Sequence, residues 1–255
     1  MSESFFVFGV SGLCDWDFLL RVHYPKMPNA EPQNTRNETQ NTKKMSITIL
    51  IIAITAIVSF VAFSNGEWMY KLRQWPYQEA RQGEYYRWLT NGLVHANPMH
   101  LIFNMLTLYV FGQFVEEWFL SRFGTVGPVI YLLFYVLALA ASSSATFYKY
   151  KNTPGYTSIG ASGATAAILF ASILINPTNE LYLMFIPIGI PGFIFGPLYL
   201  WYSNYSANRG NDNIDHMAHF FGALFGFFVP LILEPTLIVD FFSQLTGWFH
   251  YVFGS

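Results

Sequence analysis

The sequence predicts an all-α membrane protein in which six transmembrane helices form one bundle, with a large interfacial loop after the first helix. Charged residues make up only 11% of the 255 residues, against about 25% in ordinary soluble domains. Hydrophobic residues make up 53% and aromatic residues 19%. Six apolar stretches approach the roughly 20 residues that cross a hydrocarbon core of about 30 Å. Backbone groups in lipid must bond internally, so these stretches should be helices.

The charge and cysteine content argue against two classes of protein. The net charge is -2 and there is no dense basic run, which argues against nucleic acid as a partner. The single cysteine, Cys14, leaves no internal disulfide framework and no cysteine-based metal site. The partner that the composition indicates is the lipid bilayer.

Residues 1–44 differ in composition from the rest of the chain and are predicted to be a flexible N-terminal extension. The stretch 28–44 is polar and rich in Asn, Thr and Gln, which is typical of disorder. Met45 opens a clean apolar run directly after Lys43 and Lys44. Two interpretations stay open: the biological start is Met45, or the extension is a weakly ordered part of the protein.

The membrane domain is predicted to occupy residues 45–235. In chain order, its apolar stretches are residues 46–63, 98–119, 126–147, 162–175, 181–202 and 214–233. The first is long enough to act as an uncleaved signal-anchor. The fifth is interrupted by Pro187, Pro191 and Gly192, and such breaks would suit a mobile gate for a substrate.

Two segments outside the spans combine aromatic residues with polar or charged ones. Residues 64–97 hold tryptophans and tyrosines interleaved with lysines and arginines, a mixture typical of the lipid headgroup level. This segment is predicted to be a large interfacial loop. Residues 236–255 are aromatic but contain Asp240, Gln244 and Thr246, so we predict an interfacial C-terminal tail.

Polar groups inside membrane spans are costly and are candidates for function, and the first such group opens the second span. His100 and Asn104 are four residues apart and share a helix face, so together they could hold one oxygen atom. His95 precedes Pro98 and is five residues from His100, a spacing that disfavours a helical zinc pair. The alternative is that these side chains only join helices.

The second polar group is Ser162, flanked by Gly160 and Gly163 at the start of the fourth span. Backbone N–H groups at a helix start lack intrahelical partners and could stabilise an oxyanion. The alternative is an ordinary N-cap serine. The span has about 14 residues and a length of roughly 21 Å, so its first residue should lie below the membrane surface, in a water-filled cavity.

The third polar group lies in the sixth span. Ala218, Gly222 and Gly226 are spaced by four and form a small-residue stripe that lets a second helix approach closely. The fourth span has a stripe of its own, so the two should pack together. His219 adjoins the stripe at a depth that matches Ser162 and could accept its proton. His216 is expected to be a solvated helix-end residue.

These residues together resemble the rhomboid family of intramembrane serine proteases over residues 46–233. The residues that match its motifs are His95, His100 and Asn104, then Gly160, Ser162 and Gly163, then Ala218, His219, Gly222 and Gly226. Some family members also carry a tyrosine four residues after the serine, which stacks on the histidine. Here that position is Ala166, so the histidine would be held differently.

The resemblance implies a role for each site residue. Ser162 would be the nucleophile and His219 the general base. Asn104, His100 and the Ser162 backbone N–H would form the oxyanion hole, and His95 would be a supporting residue. Family members cleave transmembrane-anchored protein substrates without metal or cofactor. No carboxylate is placed to complete a triad, so a Ser–His dyad is predicted.

The predicted function is therefore intramembrane serine endopeptidase, with a transmembrane protein as substrate and the bacterial inner membrane as the default location. One alternative is a non-catalytic rhomboid-like chaperone or adaptor that binds transmembrane segments. Another is a metal or haem protein, because facing histidines on two spans can hold a cofactor. The histidines available for it would be His95, His100, His216 and His219.

Overall fold

The computed structural model describes residues 46–182, 188–209 and 214–254, and these are mostly helical. The predicted N-terminal extension, residues 1–44, and the start at Met45 lie outside the described residues. The helices are α1 (Ile47–Ser64), α2 (Gly66–Leu72), α3 (Pro76–Gln82), α4 (Arg87–Thr90), α5 (Pro98–Phe123), α6 (Gly127–Tyr150), α7 (Ser162–Ile175), α8 (Gly192–Ala207), α9 (His216–Leu233) and α10 (Leu237–Phe253). Two short strands, β1 (Glu180–Tyr182) and β2 (Gly189–Pro191), form an antiparallel pair.

The fifth apolar stretch differs from the prediction of one span over residues 181–202. Its first part pairs as β1 and β2, and helix α8 begins only at Gly192. Pro191 stands at the N-cap of α8 with extended ψ of 139°. Proline has no N–H to donate and tends to stand at helix starts, not inside them. The helical part of the fifth stretch is therefore shorter than predicted.

Within the described residues, three helical stretches are long and apolar enough to cross a membrane. They are Ile47–Ser64, Pro98–Tyr150 and His216–Leu233. The second of these contains both α5 and α6, and its 53 residues allow about 80 Å of helix, more than two crossings of a hydrocarbon core of about 30 Å. Helix α7 is apolar but shorter. Large apolar side chains such as Ile57 and Phe60 point outward from α1, as lipid-facing residues do.

Helix α7 is the centre of the bundle. Its residues are hydrophobic on every side, and nearly all of them are buried, as expected for a helix surrounded by other helices. It packs against α5, α6 and α9, and its most extensive contact is with α9. Ser162 is therefore the first residue of a helix that other helices enclose.

Glu116, near the end of α5, holds the start of α1. Its carboxylate accepts hydrogen bonds from the Ser46 hydroxyl at 2.6 Å and from the backbone N–H groups of Ile47 at 2.7 Å and Thr48 at 3.0 Å. Carboxylates stabilise helix N-termini by this contact. The acid thus has a structural partner at the opposite end of α5 from His100.

The predicted interfacial loop folds as α2, α3 and α4 around Arg87. Its guanidinium is 2% exposed, and its Nη1 donates to the carbonyl oxygens of Tyr70, Lys71 and Arg73 at 2.8 to 2.9 Å. Its Nε donates to the Glu84 carboxylate at 2.8 Å. A buried charge is stable only when paired and hydrogen-bonded, and this arginine is both. Arg87 thus ties α4 to the residues at the end of α2.

Glu79 in the same loop provides a pH prediction. Burial raises the pKa of its carboxyl above the usual range, although hydrogen bonds from Trp75 N–H and Trp88 Nε1–H oppose that rise. A raised folded-state pKa gives stability that is present at low pH and lost as pH rises through that pKa. We therefore expect wild type to lose thermal stability relative to Glu79→Gln as pH rises from about 4 to about 8.

Thermal unfolding in detergent over a pH series measures this difference. Glu67→Gln is the matched control, because the exposed Glu67 carboxylate pairs with Lys71 at 2.6 Å and its pKa is lowered chiefly by that hydrogen bond. Its difference curve should have the opposite sign, since a lowered pKa gives stability that is lost as pH falls. A wild-type minus Glu79→Gln difference that stays flat or rises with pH would contradict the prediction.

The segment 236–255 contains helix α10. Asp240 faces Arg122 at 3.5 Å, and the Gln244 amide donates to the carbonyl oxygen of Ile175, the last residue of α7, at 3.0 Å. Phe242 and Tyr251 are 59% and 87% exposed. Leu237 and Phe241 of the same helix pack against the core of the bundle. The interfacial position of this tail stays a prediction.

Candidate functional site

Helices α7 and α9, which carry Ser162 and His219, are in close contact. The two predicted small-residue stripes do pack together: a Cβ at Gly222 would overlap the carbonyl oxygen of Gly163, and a Cβ at Gly226 would overlap that of Ala167. These overlaps mean that the two backbones touch. The prediction of close packing is confirmed.

The register of that contact is what matters for Ser162 and His219. The position that a Cβ would take at Gly163 is 3.1 Å from the carbonyl oxygen of Ala218. Ser162 directly precedes the first of these residues and His219 directly follows the second. Both candidate side chains are half-buried. Ser162 and His219 are thus attached to backbone positions next to this contact between the two helices. Ser162 is the first residue of α7, as predicted.

Gly160 makes room for the His100 ring. Its φ is +114°, a conformation that disfavours any side chain, and a Cβ there would lie 2.6 Å from Cε1 and 2.9 Å from Nε2 of His100. The Gly160 N–H donates to the Asn91 carbonyl at 3.0 Å. The loop before Ser162 is thus held against both the interfacial loop and the start of α5.

His95 links three segments and is fully buried. Its Nε2 accepts from the Ala161 N–H at 3.4 Å, and its Nδ1 lies 2.9 Å from the Ser59 hydroxyl of α1. Since Nε2 accepts, Nδ1 carries the proton and donates to Ser59. The Ser59 hydroxyl in turn donates to the Leu93 carbonyl at 2.9 Å. His95 thereby fixes the residue immediately before Ser162.

Asn104 contacts α7 through a residue that the sequence analysis missed. The Thr165 hydroxyl is shared between the Asn104 Oδ1 and the Ser162 carbonyl, each at 3.1 Å. The Asn104 Nδ2 donates to the His100 carbonyl at 2.9 Å. These two bonds fix the orientation of the Asn104 amide, because its oxygen accepts from Thr165 and its nitrogen donates to His100. A hydroxyl three residues after Ser162 was the available signal, since it shares a helix face with that serine.

A second missed residue is Tyr199, on α8. Its ring stacks on the His219 imidazole with a centroid separation of 6.4 Å and an interplanar angle of 23°. Because position 166 is alanine, we expected another group to hold the histidine. The Tyr199 ring is in contact with it. No pattern in the sequence pairs Tyr199 with His219, because the contact depends on how α8 packs beside α9.

His216 differs from its prediction as a solvated helix-end residue: it is 4% exposed. Its ring meets Tyr202 at 5.6 Å and His219 at 6.0 Å, edge to face in both cases. Tyr202 of α8 therefore covers part of this end of α9. Asp215, the N-cap of α9, accepts from the Ala218 N–H at 3.0 Å and from the Thr146 hydroxyl at 2.7 Å, so its carboxylate is engaged in capping.

His95 is poorly arranged to bind a metal or haem. Both ring nitrogens of His95 are engaged, with Ala161 and Ser59, and the rings of His95 and His100 meet edge to face at 5.1 Å. A metal ligand needs a ring nitrogen with an open lone pair. In the part of the chain that is described, no group of three His, Cys, Asp or Glu side chains could hold a metal ion.

The fold and site define a class of helical integral membrane protein. Its short central helix begins at a serine and is packed among other helices of the bundle. A family model of the Rhomboid domain matches residues 82–236, more than half of the 255 residues. The chain belongs to the rhomboid family.

Three relatives show the same likeness. The mitochondrial RHOMBOID-like protein 12 of Arabidopsis thaliana is 29% identical over 151 residues, 56% of this chain and 45% of the relative. The rhomboid protease GlpG of Haemophilus influenzae is 29% identical over 126 residues, 48% of this chain and 59% of the relative. The rhomboid protease GluP of Bacillus subtilis is 29% identical over 209 residues, 80% of this chain and 38% of the relative. The chain thus spans about half the length of these relatives or less.

Proposed function

We propose that this protein is an intramembrane serine endopeptidase that acts through a Ser162–His219 dyad. The observation that carries the proposal is the backbone contact of Gly163 with Ala218 and Gly222. Gly163 directly follows Ser162, and Ala218 directly precedes His219. Membership of a family that includes proteins named as proteases supports the same activity. The proposed site also includes Asn104.

The proposed reaction is acyl transfer to the serine and then to water. Ser162 Oγ attacks the substrate carbonyl carbon, and His219 takes the hydroxyl proton. The tetrahedral oxyanion collapses, the peptide C–N bond breaks, and His219 returns the proton to the leaving amine. Water then attacks the acyl-enzyme ester, again with His219 as base, and releases the second product together with free Ser162.

The proposed oxyanion donors are supported by the hydrogen bonds of Asn104 and His100. The Asn104 Nδ2 has two hydrogens and gives one to the His100 carbonyl, which leaves the other for the oxyanion. The His100 Nδ1 accepts from the Ala96 N–H at 3.5 Å, so its Nε2 carries the proton and can donate. The Ser162 N–H at the start of α7 is the third donor.

The wider context of the proposal is a transmembrane-anchored substrate cleaved within the bilayer by a bundle of six spans. We propose that α1, α5, α6, α7, α8 and α9 are those spans, within a membrane domain of residues 45–235 and before an interfacial tail of residues 236–255. The bacterial inner membrane remains the proposed location. The likeness to a mitochondrial relative makes an organellar membrane the other outcome of a cell-fractionation experiment.

A fluorophosphonate probe tests the proposal on the unaltered protein. The full chain in liposomes should become labelled, and peptide mass spectrometry should locate the label on Ser162 because only an activated serine reacts. A model transmembrane substrate in the same liposomes should be cleaved. Folded protein that neither labels nor cleaves would instead favour a rhomboid-like chaperone or adaptor that binds transmembrane segments.

Thr165→Val should lower kcat about tenfold with little change in stability. Valine keeps the shape but cannot donate to Asn104, so the amide loses its fixed orientation. The effect should be smaller than the roughly 100- to 1,000-fold loss that follows removal of an oxyanion donor itself. Thr107→Val is the matched control, since the Thr107 hydroxyl donates only to the Phe103 carbonyl within α5, at 2.9 Å. Equal kcat values for both variants would contradict this role of Thr165.

A further inference from the structure

Tyr199 lies in an apolar cluster that borders the candidate site. Besides its stack on His219, its ring contacts Phe170 at 5.4 Å and Phe195 at 5.8 Å. The separation of 6.4 Å from the imidazole is within the range of about 4.5 to 7 Å in which aromatic rings interact. The tyrosine is thus fixed by neighbours on α7 and α8, while its face is turned to a residue of α9.

We propose that Tyr199 is a positioning residue that holds the His219 imidazole from α8, and that the small side chain of Ala166 is what admits the ring. This inference rests on the proposed function, because the orientation of His219 affects a rate only if it acts as the base.

The need for such a residue follows from the surroundings of His219. An imidazole can turn about two side-chain torsions, and a general base must present one nitrogen toward the hydroxyl it deprotonates. The His216 ring meets His219 edge to face, at an interplanar angle of 77°, and the Tyr199 ring is nearly parallel to it. Two contacts at different angles restrict the ring more than either alone.

Ala166 explains why the ring can come from α8. It lies one turn after Ser162 on the same face of α7, is 4% exposed, and belongs to the buried cluster against which Tyr199 packs. Interiors are close-packed, so a large side chain at this position and the Tyr199 ring would compete for one volume. The two positions should therefore be exchangeable: a ring supplied from 166 could replace the ring lost from 199.

The experiment compares Tyr199→Leu, Tyr199→Phe and the double variant Tyr199→Leu with Ala166→Tyr. Cleavage of the model substrate in liposomes gives kcat and KM separately. We expect Tyr199→Leu to lower kcat about 100-fold, the scale for a misplaced catalytic group, with KM within about twofold. Tyr199→Phe keeps the ring and should stay within about threefold of wild type. The double variant should recover at least about tenfold over Tyr199→Leu.

Tyr205→Ala is the matched control. Tyr205 is on the same helix and stacks on Trp201 with the same interplanar angle of 23°, but its ring is 43% exposed. Its kcat should equal that of wild type. A Tyr199→Leu variant with wild-type kcat would overturn the proposal, as would an equal loss in Tyr199→Phe.

A second measurement keeps the proposal testable in any variant that folds without activity. A stacked ring shifts the NMR signal of the His219 Hε1 proton, which His219→Asn identifies by its disappearance. Tyr199→Leu should move this signal, and Tyr205→Ala should not. An unmoved signal overturns the stack. By contrast, wild type that shows the Tyr199-dependent shift but neither labels nor cleaves would refute the proposed function and not the contact.

Discussion

Ser162→Ala is expected to abolish cleavage of a transmembrane substrate, with a loss of about 10,000-fold or more in kcat. The alanine removes the atom that forms the acyl-enzyme. The fold should survive, because the change deletes one half-buried oxygen at a helix start. Cleavage in liposomes and thermal unfolding in detergent, measured on the same preparation, separate these two effects.

Ser172→Ala is the matched control on the same helix. The Ser172 hydroxyl donates only to the carbonyl oxygen of Leu169, at 2.7 Å, and lies near the other end of α7. That variant should label with the fluorophosphonate probe and cleave as wild type does. Substantial cleavage by Ser162→Ala would refute the proposed dyad. The activity would then come from a different nucleophile or from a contaminating protease.

Gly222→Ala should be a damaging change, although it adds only a single methyl group. The new Cβ would overlap the Gly163 carbonyl oxygen, and backbone cannot turn aside as a flexible side chain can. Helices α7 and α9 would have to separate, at a cost of about 1 to 3 kcal/mol for overpacking. The separation would also part Ser162 from His219. We expect a lower unfolding midpoint and a loss of cleavage of about 100-fold.

Gly247→Ala gives the comparison for Gly222→Ala. Both glycines lie within helices, but a Cβ at Gly247 would meet nothing within 4 Å. The alanine should therefore raise stability slightly, by up to about 1 kcal/mol through helix propensity, and leave cleavage unchanged. If Gly222→Ala unfolds at the wild-type midpoint and cleaves at the wild-type rate, the contact between α7 and α9 is not needed for the site.

The elements of the site were predictable where the controlling signal is local. Helix α7 begins at Ser162 because the preceding glycines break regular structure and the following residues are small and apolar. The spacing by four of Ala218, Gly222 and Gly226 predicted the close helix contact. In the fifth stretch the same reasoning was wrong, since a chain rich in proline and glycine paired as β1 and β2 before α8 could begin.

The contacts that decide the chemistry were not predictable in the same way. Thr165 and Tyr199 reach Asn104 and His219 across helix interfaces, and the buried His216 meets Tyr202 of α8 in the same way. Each of these depends on the rotation and height of one helix against another.

By itself, the sequence determined that this is a helical membrane protein, which polar residues stand in its apolar helices, and which faces are small enough for close packing. These properties follow from composition and from the 3.6-residue period, which are local. Only the tertiary structure decided which ring lies against His219, what orients Asn104 and what fixes the residue before Ser162. Those partners are distant in the chain, and only the packing of whole helices brings them together.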